Sequence, residues 1–290
     1  MKTKVEKGCL RFESVLVFFA IFFLCSFFLL AGFFGSIIIS QDGKRVGPRH
    51  QLLESMEVEE NGFISVPHGK TGDSSIYSIP FQVLSWSPRA FYFPNFATAE
   101  QCQSIMKIAN STLKPSKVAL RKGDTPESVN GLRTSSGTFI KASDDSTGVL
   151  DYIEKKIARA TMLPRSNGES FNVLRYEVGQ RYVPHHDAFD PAHYGPQYNQ
   201  RVASFLVYLT DVEEGGETAF PYENDSNKDI VIDYNGCLGL KVKPRQGDGL
   251  LFFSLLPNGT IDKKSLHGSC PVIKGEKWVA TKWIHNTNFS

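Results

Sequence analysis

Between residues 171 and 285 the chain breaks into short apolar runs separated by glycine, proline and acidic turns. The runs at 171–176, 181–185, 202–209, 217–220, 238–242, 250–254 and 277–285 are rich in Val, Leu, Phe, Tyr and Trp. Their lengths and β-branched or aromatic content suit strands and are too short for core helices. Strands packed this densely along a chain must fold back on one another, so the pattern predicts a sandwich or jelly roll, a double-stranded β-helix. Gly215-Gly216 and Gln246-Gly247-Asp248-Gly249 read as turns. Neither opens a helix in a phosphate-binding pattern, which excludes a nucleotide loop at either place.

Upstream the hydrophobic period changes. Thr98-Ala99-Glu100-Gln101 has the form of a capping box, followed by Cys102, Ile105, Met106 and Ala109 at helical spacing. On that face Cys102 is expected to pack rather than react. A second amphipathic helix is expected over 147–162, with Leu150, Ile153, Ile157 and Ala160 inward and Glu154, Lys155 and Lys156 outward. Residues 132–140 read as a strand between the helices, 122–130 as a polar loop, and 83–86 and 90–93 as the first strands. The domain expected over 83–290 is therefore mainly β with supporting helices.

Residues 15–39 carry no charge and are mostly Phe, Leu, Ile and Val. About 20 apolar helical residues cross a bilayer, and this run is longer. A cleavable signal peptide is the competing reading, but such cores run to only about 15 residues. Lys2, Lys4, Lys7 and Arg11 precede the run and would stay cytosolic, although Lys44, Arg45 and Arg49 on the far side weaken the asymmetry. The expected order is a cytosolic tail (1–14), a transmembrane signal anchor (15–39), a polar luminal stem (40–82) and the domain at 83–290. That describes a single-pass type II protein of the endoplasmic reticulum or Golgi membrane with a luminal catalytic domain. Of five cysteines, Cys9 and Cys25 fall in tail and span. Cys102, Cys237 and Cys270 remain, and Cys237 with Cys270 is the candidate pair, three buried thiols being the alternative. Sequons at Asn110, Asn224, Asn258 and Asn288 are candidate glycosylation sites. A formal charge of +2, from 32 basic and 30 acidic residues, gives no reason to expect a nucleic-acid partner.

The chemistry gathers in Tyr182-Val183-Pro184-His185-His186-Asp187. On a strand, His185 and Asp187 leave the same face, and His267 supplies a second imidazole from far along the chain. Two histidines and one carboxylate around open positions are the ligand set of non-haem Fe(II) oxygenases. Each residue also has an ordinary reading, as a half-exposed or core-satisfied strand residue. His186 would face the other way, and His193 and His285 are weaker rivals. The open positions suit a bidentate 2-oxo acid and O2, whose distal carboxylate needs a fixed cation. Lys277, Val279, Thr281 and Trp283 share one face of the last strand, so Lys277 either meets that carboxylate or is an ordinary surface lysine.

Arg133-Thr-Ser-Ser-Gly-Thr138, Leu174-Arg-Tyr-Glu-Val-Gly-Gln180, His185-His-Asp187, Glu214-Gly-Gly-Glu-Thr218, Lys243-Pro-Arg-Gln-Gly-Asp248, Pro257-Asn-Gly-Thr260, His267-Gly-Ser-Cys-Pro271 and Gly275-Glu-Lys-Trp278 occur in this order. With them, residues 83–290 resemble the plant-type prolyl 4-hydroxylases, dioxygenases dependent on 2-oxoglutarate and Fe(II). The resemblance implies His185, Asp187 and His267 as iron ligands, and Lys277 as anchor of the 2-oxoglutarate C5 carboxylate. It implies Tyr176 and Thr218 as helpers, Trp283 lining the same pocket, and Tyr182 and Arg201 at positions that meet the peptide. The implied reaction hydroxylates C4 of a peptidyl proline in proline-rich secretory or cell-wall glycoproteins while 2-oxoglutarate becomes succinate and CO2, with L-ascorbate rescuing oxidised iron. A proline-rich substrate would arrive preformed as a polyproline II helix. The residue between the iron ligands, His186, stands where an aromatic such as Tyr is common in the family. Two alternatives stay open: a related oxygenase acting on another residue such as lysine, and a non-catalytic jelly-roll binding module whose triad holds a structural metal.

Overall fold

The fold comes from a computed structural model of the chain, which describes residues 65–66, 76–227 and 237–289. The chain divides into two compact units, Met1–Ser78 and Ile79–Ser290. In the first, two short strands, β1 (Ser65–Val66) and β2 (Ile76–Tyr77), pair antiparallel inside the stretch read as an irregular stem. The expected tail and signal anchor lie outside the described residues. Among the described residues no helix is long and apolar enough to cross a membrane.

The second unit runs β3 (Gln82–Trp86), β4 (Arg89–Phe93), α1 (Ala99–Asn110), β5 (Lys114–Pro115), β6 (Ser136–Ile140), α2 (Val149–Thr161), β7 (Phe171–Tyr176), β8 (Tyr182–His185), α3 (Pro191–Tyr194) and β9 (Arg201–Tyr208). It continues with β10 (Val212–Gly215), β11 (Thr218–Phe220), β12 (Leu240–Val242), β13 (Gly249–Phe253), β14 (His267–Ser269), β15 (Val272–Gly275) and β16 (Lys277–His285). An eight-stranded antiparallel sheet, ordered β3-β4-β13-β9-β16-β7-β6-β5, faces a four-stranded one, ordered β12-β11-β14-β8. β10 and β15 form a separate pair. This is the mainly β jelly-roll arrangement the short apolar runs call for.

Alternation along the central strands assigns each side chain to one of two cores. Phe205 and Val207 of β9, Phe171 and Val173 of β7, and Trp278, Ala280 and Ile284 of β16 pack with Ile105, Leu150, Ile153 and Ile157 of the two helices. The intervening residues, Leu174, Tyr176, Leu206, Tyr208 and Val279, turn between the sheets and meet Phe220 and Phe252. Both faces of β16 are covered, and all nine of its residues are buried. α1 begins as expected, with Thr98 accepting from Gln101 N–H and Gln101 returning a bond to the Thr98 backbone. Cys102 is fully buried, and burial pushes its thiol up to about 11, which fits packing rather than reactivity.

Three expectations change. β5, β10, β14 and β15 appear in addition to the expected strands. Residues 132–140 are not one strand: Arg133 bridges to Tyr182 at the edge of the smaller sheet, and only from Ser136 does the chain pair with β7 in the larger one. β8 ends at His185, so Asp187 lies beyond the strand rather than on it. Cys237 and Cys270 form the disulfide, with Cα atoms 5.8 Å apart.

Candidate active site

β8 and β14 lie antiparallel with His185 opposite His267, so residues distant in sequence become cross-strand neighbours. Their rings are 4.4 Å apart between centroids. The chain then carries Asp187 back toward both: its carboxylate oxygens are 3.5 Å from His185 Nε2 and 3.6 Å from His267 Nε2. One donor atom from each of the three lies within 4.8 Å of the others. The two side chains thus converge by another route than the same-face argument, because a bend after the strand end, not strand alternation, brings Asp187 in.

The surroundings fix the donors. His185 Nδ1 meets the Val183 carbonyl and His267 Nδ1 meets the Ser265 carbonyl, both at 2.9 Å. Each carbonyl can only accept, so each Nδ1 carries a proton and each Nε2 is the atom turned toward Asp187. Burial drives the His267 pKa down to about 4 against the pull of Asp187, which keeps the ring neutral at neutral pH. Burial alone would raise the Asp187 carboxyl, but His267, His185 and Arg201 outweigh it and hold the group well below the usual carboxylate range. Ser204 Oγ donates to the same carboxylate at 2.5 Å. Two imidazoles held through Nδ1 and an ionised carboxylate match a divalent iron. Among the described residues the cluster offers three ligand groups, where a closed structural zinc site takes four.

Beyond the triad the cavity runs inward between the sheets. Lys277, Val279, Thr281 and Trp283 line its wall from β16, with Tyr176, Thr218, Ser269 and Tyr182 around them. Lys277 is not a surface lysine: it is 1% exposed. Its ammonium meets Ser269 Oγ at 2.8 Å and lies 5.4 Å from the centre of the Tyr176 ring. Desolvation pulls its pKa down to about 7, with Glu217 pulling the other way. Tyr208 O–H donates to Thr218 Oγ1 at 2.8 Å.

Outward, the triad opens into a cleft lined by Val118, Leu132, Phe139, Phe189, Tyr194 and Trp283 among others. Residues 122–130 fold into turns along it, and Lys122 N–H donates to the His193 carbonyl, joining this loop to the one after Asp187. Tyr182 stands between cavity and cleft, stacked on His185 with ring centroids 3.7 Å apart and covered by the Arg133 guanidinium at 4.6 Å. Arg201 lines the cleft, but Glu169 engages it twice, at 2.5 and 2.9 Å, and its guanidinium lies 3.8 Å above Trp283. His186 leaves the triad and meets the Lys263 carbonyl at 3.2 Å. His193 sits beside Asp190 on the surface, and His285 bonds Glu169 and Asn199, so neither rival joins the cluster.

The fold and the triad together define the comparison. Residues 171–285 match the model of the 2OG-Fe(II) oxygenase superfamily. Over 262 residues the chain is 66% identical to "Probable prolyl 4-hydroxylase 9" of Arabidopsis thaliana, covering 90% of this chain and 91% of the relative. It is 50% identical to "Prolyl 4-hydroxylase 13" of the same plant, covering 96% and 97%. The chain belongs to the prolyl 4-hydroxylase family. A solved family member, the viral collagen prolyl hydroxylase of Paramecium Bursaria Chlorella virus-1 in its 2OG complex, shares 28% identity at a TM-score of 0.50, over 68% of this chain and 96% of the viral one. Within this family frame, four residues of the site escaped the sequence reading: Ser204, Tyr208, Glu169 and Ser269. Each acts through a partner on another strand or loop, and such pairings follow only from register. A period-2 reading of β9 would have put Ser204 and Tyr208 on the inner face.

Proposed function

We propose that the protein hydroxylates C4 of prolyl residues in proline-rich polypeptides, using Fe(II), 2-oxoglutarate and O2. One observation carries the reading: two imidazoles held through Nδ1 and a carboxylate cluster at the same cavity as a buried lysine with no ion pair among the described residues. His185, Asp187 and His267 would hold the iron, and Lys277 the C5 carboxylate of 2-oxoglutarate. When bound, the metal supplies oxidation of the prolyl C–H to C–OH by O2, coupled to decarboxylation of 2-oxoglutarate to succinate. L-ascorbate is the reductant typical of the family.

The residues of the chain orient and shield. Asp187 balances the metal charge, and the carbonyls behind His185 and His267 prevent the rings from rotating. Thr218 and Tyr176 flank the carboxylate end. The buried indole N–H of Trp283 has no acceptor among the described residues, so a bound acceptor at the junction of cavity and cleft would satisfy it. Phe139, Phe189 and Tyr194 offer aromatic surface to a polyproline II helix, which brings little ordering cost of its own, and Tyr182, covered by His185 and Arg133, would meet it only at its rim. Arg201, tied to Glu169, holds Trp283 and Phe189 in that surface and keeps part of its guanidinium toward the peptide.

We further place the protein in the endoplasmic reticulum or Golgi membrane, anchored through residues 15–39 with 83–290 luminal and cell-wall-type glycoproteins as substrates. Support comes from the Cys237–Cys270 disulfide, which suits an oxidising lumen, and from the exposure of Asn110, Asn224, Asn258 and Asn288 at the four sequons. Succinate release measured with a poly-proline peptide tests the activity. Turnover with that peptide is expected. Turnover only with a lysyl peptide would make the protein a related hydroxylase, and none with either would make it a binding module.

A further inference from the structure

Three neighbouring strands of the smaller sheet put Tyr182, Ser269 and Thr218 side by side. Ser269 is opposite Tyr182 on one flank and Thr218 on the other, and all three line the cavity. Directly opposed residues on antiparallel strands point to the same face. The two hydroxyls there are engaged in the same sense. Ser269 Oγ accepts from Lys277 Nζ at 2.8 Å, and Thr218 Oγ1 accepts from Tyr208 O–H at 2.8 Å. A hydroxyl has one proton to give, and in both cases that proton is left over. The cavity end therefore presents an ammonium and two hydroxyl donors, with no ion pair to Lys277 among the described residues. An anion is the complement of such a set.

We propose that Ser269 is a positioning residue for the cosubstrate: it steers the Lys277 ammonium and, together with the Tyr208-oriented Thr218, donates a hydrogen bond to the distal carboxylate of the 2-oxo acid. This rests on reading the cavity as the 2-oxoglutarate site. Ser269 is well held for the task. Gly268 before it lies so close to β8 that a Cβ there would come within 2.9 Å of the Tyr182 carbonyl, and Cys270 after it is tied to Cys237. The serine's backbone is thus clamped on both sides, and the lysine on its long flexible stem is aligned by a rigid neighbour.

The test compares two ligands of the Fe(II)-loaded protein by anaerobic calorimetry. 2-Oxoglutarate carries the distal carboxylate; oxalate chelates the metal without one. Ser269→Ala should weaken 2-oxoglutarate by about tenfold or more, the range of a hydrogen bond to a charged group, and leave oxalate unchanged. In turnover the KM for 2-oxoglutarate should rise by the same factor with kcat and the peptide KM held, and Ser269→Thr should restore it. Tyr208→Phe, which leaves β14 untouched, should give the same ligand-selective weakening. The proposal falls if either variant binds 2-oxoglutarate as the wild type does, or if oxalate weakens equally. Failure of the wild-type protein to bind 2-oxoglutarate would instead overturn the reading of the cavity itself.

Discussion

Lys277 is a buried lysine with no contact ion pair among the described residues, only the more distant charge of Glu217 acting on it. An ordinary lysine titrates near 10.4, and burial brings this one down to about 7. Below pH 7 the side chain is the ammonium that a carboxylate needs; above it, binding must first take up a proton. Affinity for 2-oxoglutarate should therefore fall as pH rises from about 7 toward 9, with proton uptake visible as a buffer-dependent heat in calorimetry. Lys277→Arg, whose guanidinium stays charged, should flatten that dependence. Lys277→Ala should raise the 2-oxoglutarate KM by about 10- to 100-fold while leaving much of the kcat at saturation, since it removes a charged hydrogen bond and spares the triad. The proposed metal ligands behave differently. His185→Ala, Asp187→Ala and His267→Ala should each abolish turnover in a folded protein, and metal analysis should find the iron lost. Full activity in any one of them would remove that residue from the site.

At the scale of elements, the site depends on how closely β14 approaches β8. Gly268 lies where that approach is tightest, and a Cβ there meets backbone, not a side chain that could swing away. Gly268→Ala should push β14 outward, separate His267 from His185 and lower iron affinity, while circular dichroism stays near wild type. The strap from β12 to β14 is the second device. Cys237 and Cys270 stand 33 residues apart, and closing a loop of that length is worth about 3.7 kcal/mol in the chain-entropy treatment. Cys237→Ser with Cys270→Ser should lower urea stability by roughly that amount. These elements were the hardest to foresee. β16 and α2 were legible because long runs of one period bury whole faces, and Lys277, Val279, Thr281 and Trp283 do share the cavity wall. β14 is three residues around a glycine, too short to show alternation. Ser269 and Tyr208 stayed invisible for a related reason. A hydroxyl's importance lies in what faces it across a register that the sequence does not spell out, whereas His185, Asp187 and His267 advertise themselves by ligand chemistry.

For the whole molecule, every residue of the candidate site lies in the unit Ile79–Ser290, which contains both packed cores and both large sheets. A chain beginning at Ile79 keeps all of β3, the edge strand of the larger sheet, and every residue of both cores. It should fold alone, unfold in one transition, and release succinate with the same kcat/KM on a soluble poly-proline peptide as the full chain. The preceding residues would then serve location rather than chemistry. In the anchor reading, the full chain should sediment with microsomes and resist extraction at high pH, the Ile79 chain should not, and protease added outside sealed microsomes should spare the catalytic unit. Glycosidase should sharpen or shift the protected band if Asn110, Asn224 or Asn258 is used. Digestion of the catalytic unit in sealed vesicles would put it on the cytosolic side and reverse the topology, while leaving the reading of the iron and 2-oxoglutarate site intact, because every residue assigned to that site lies within Ile79–Ser290.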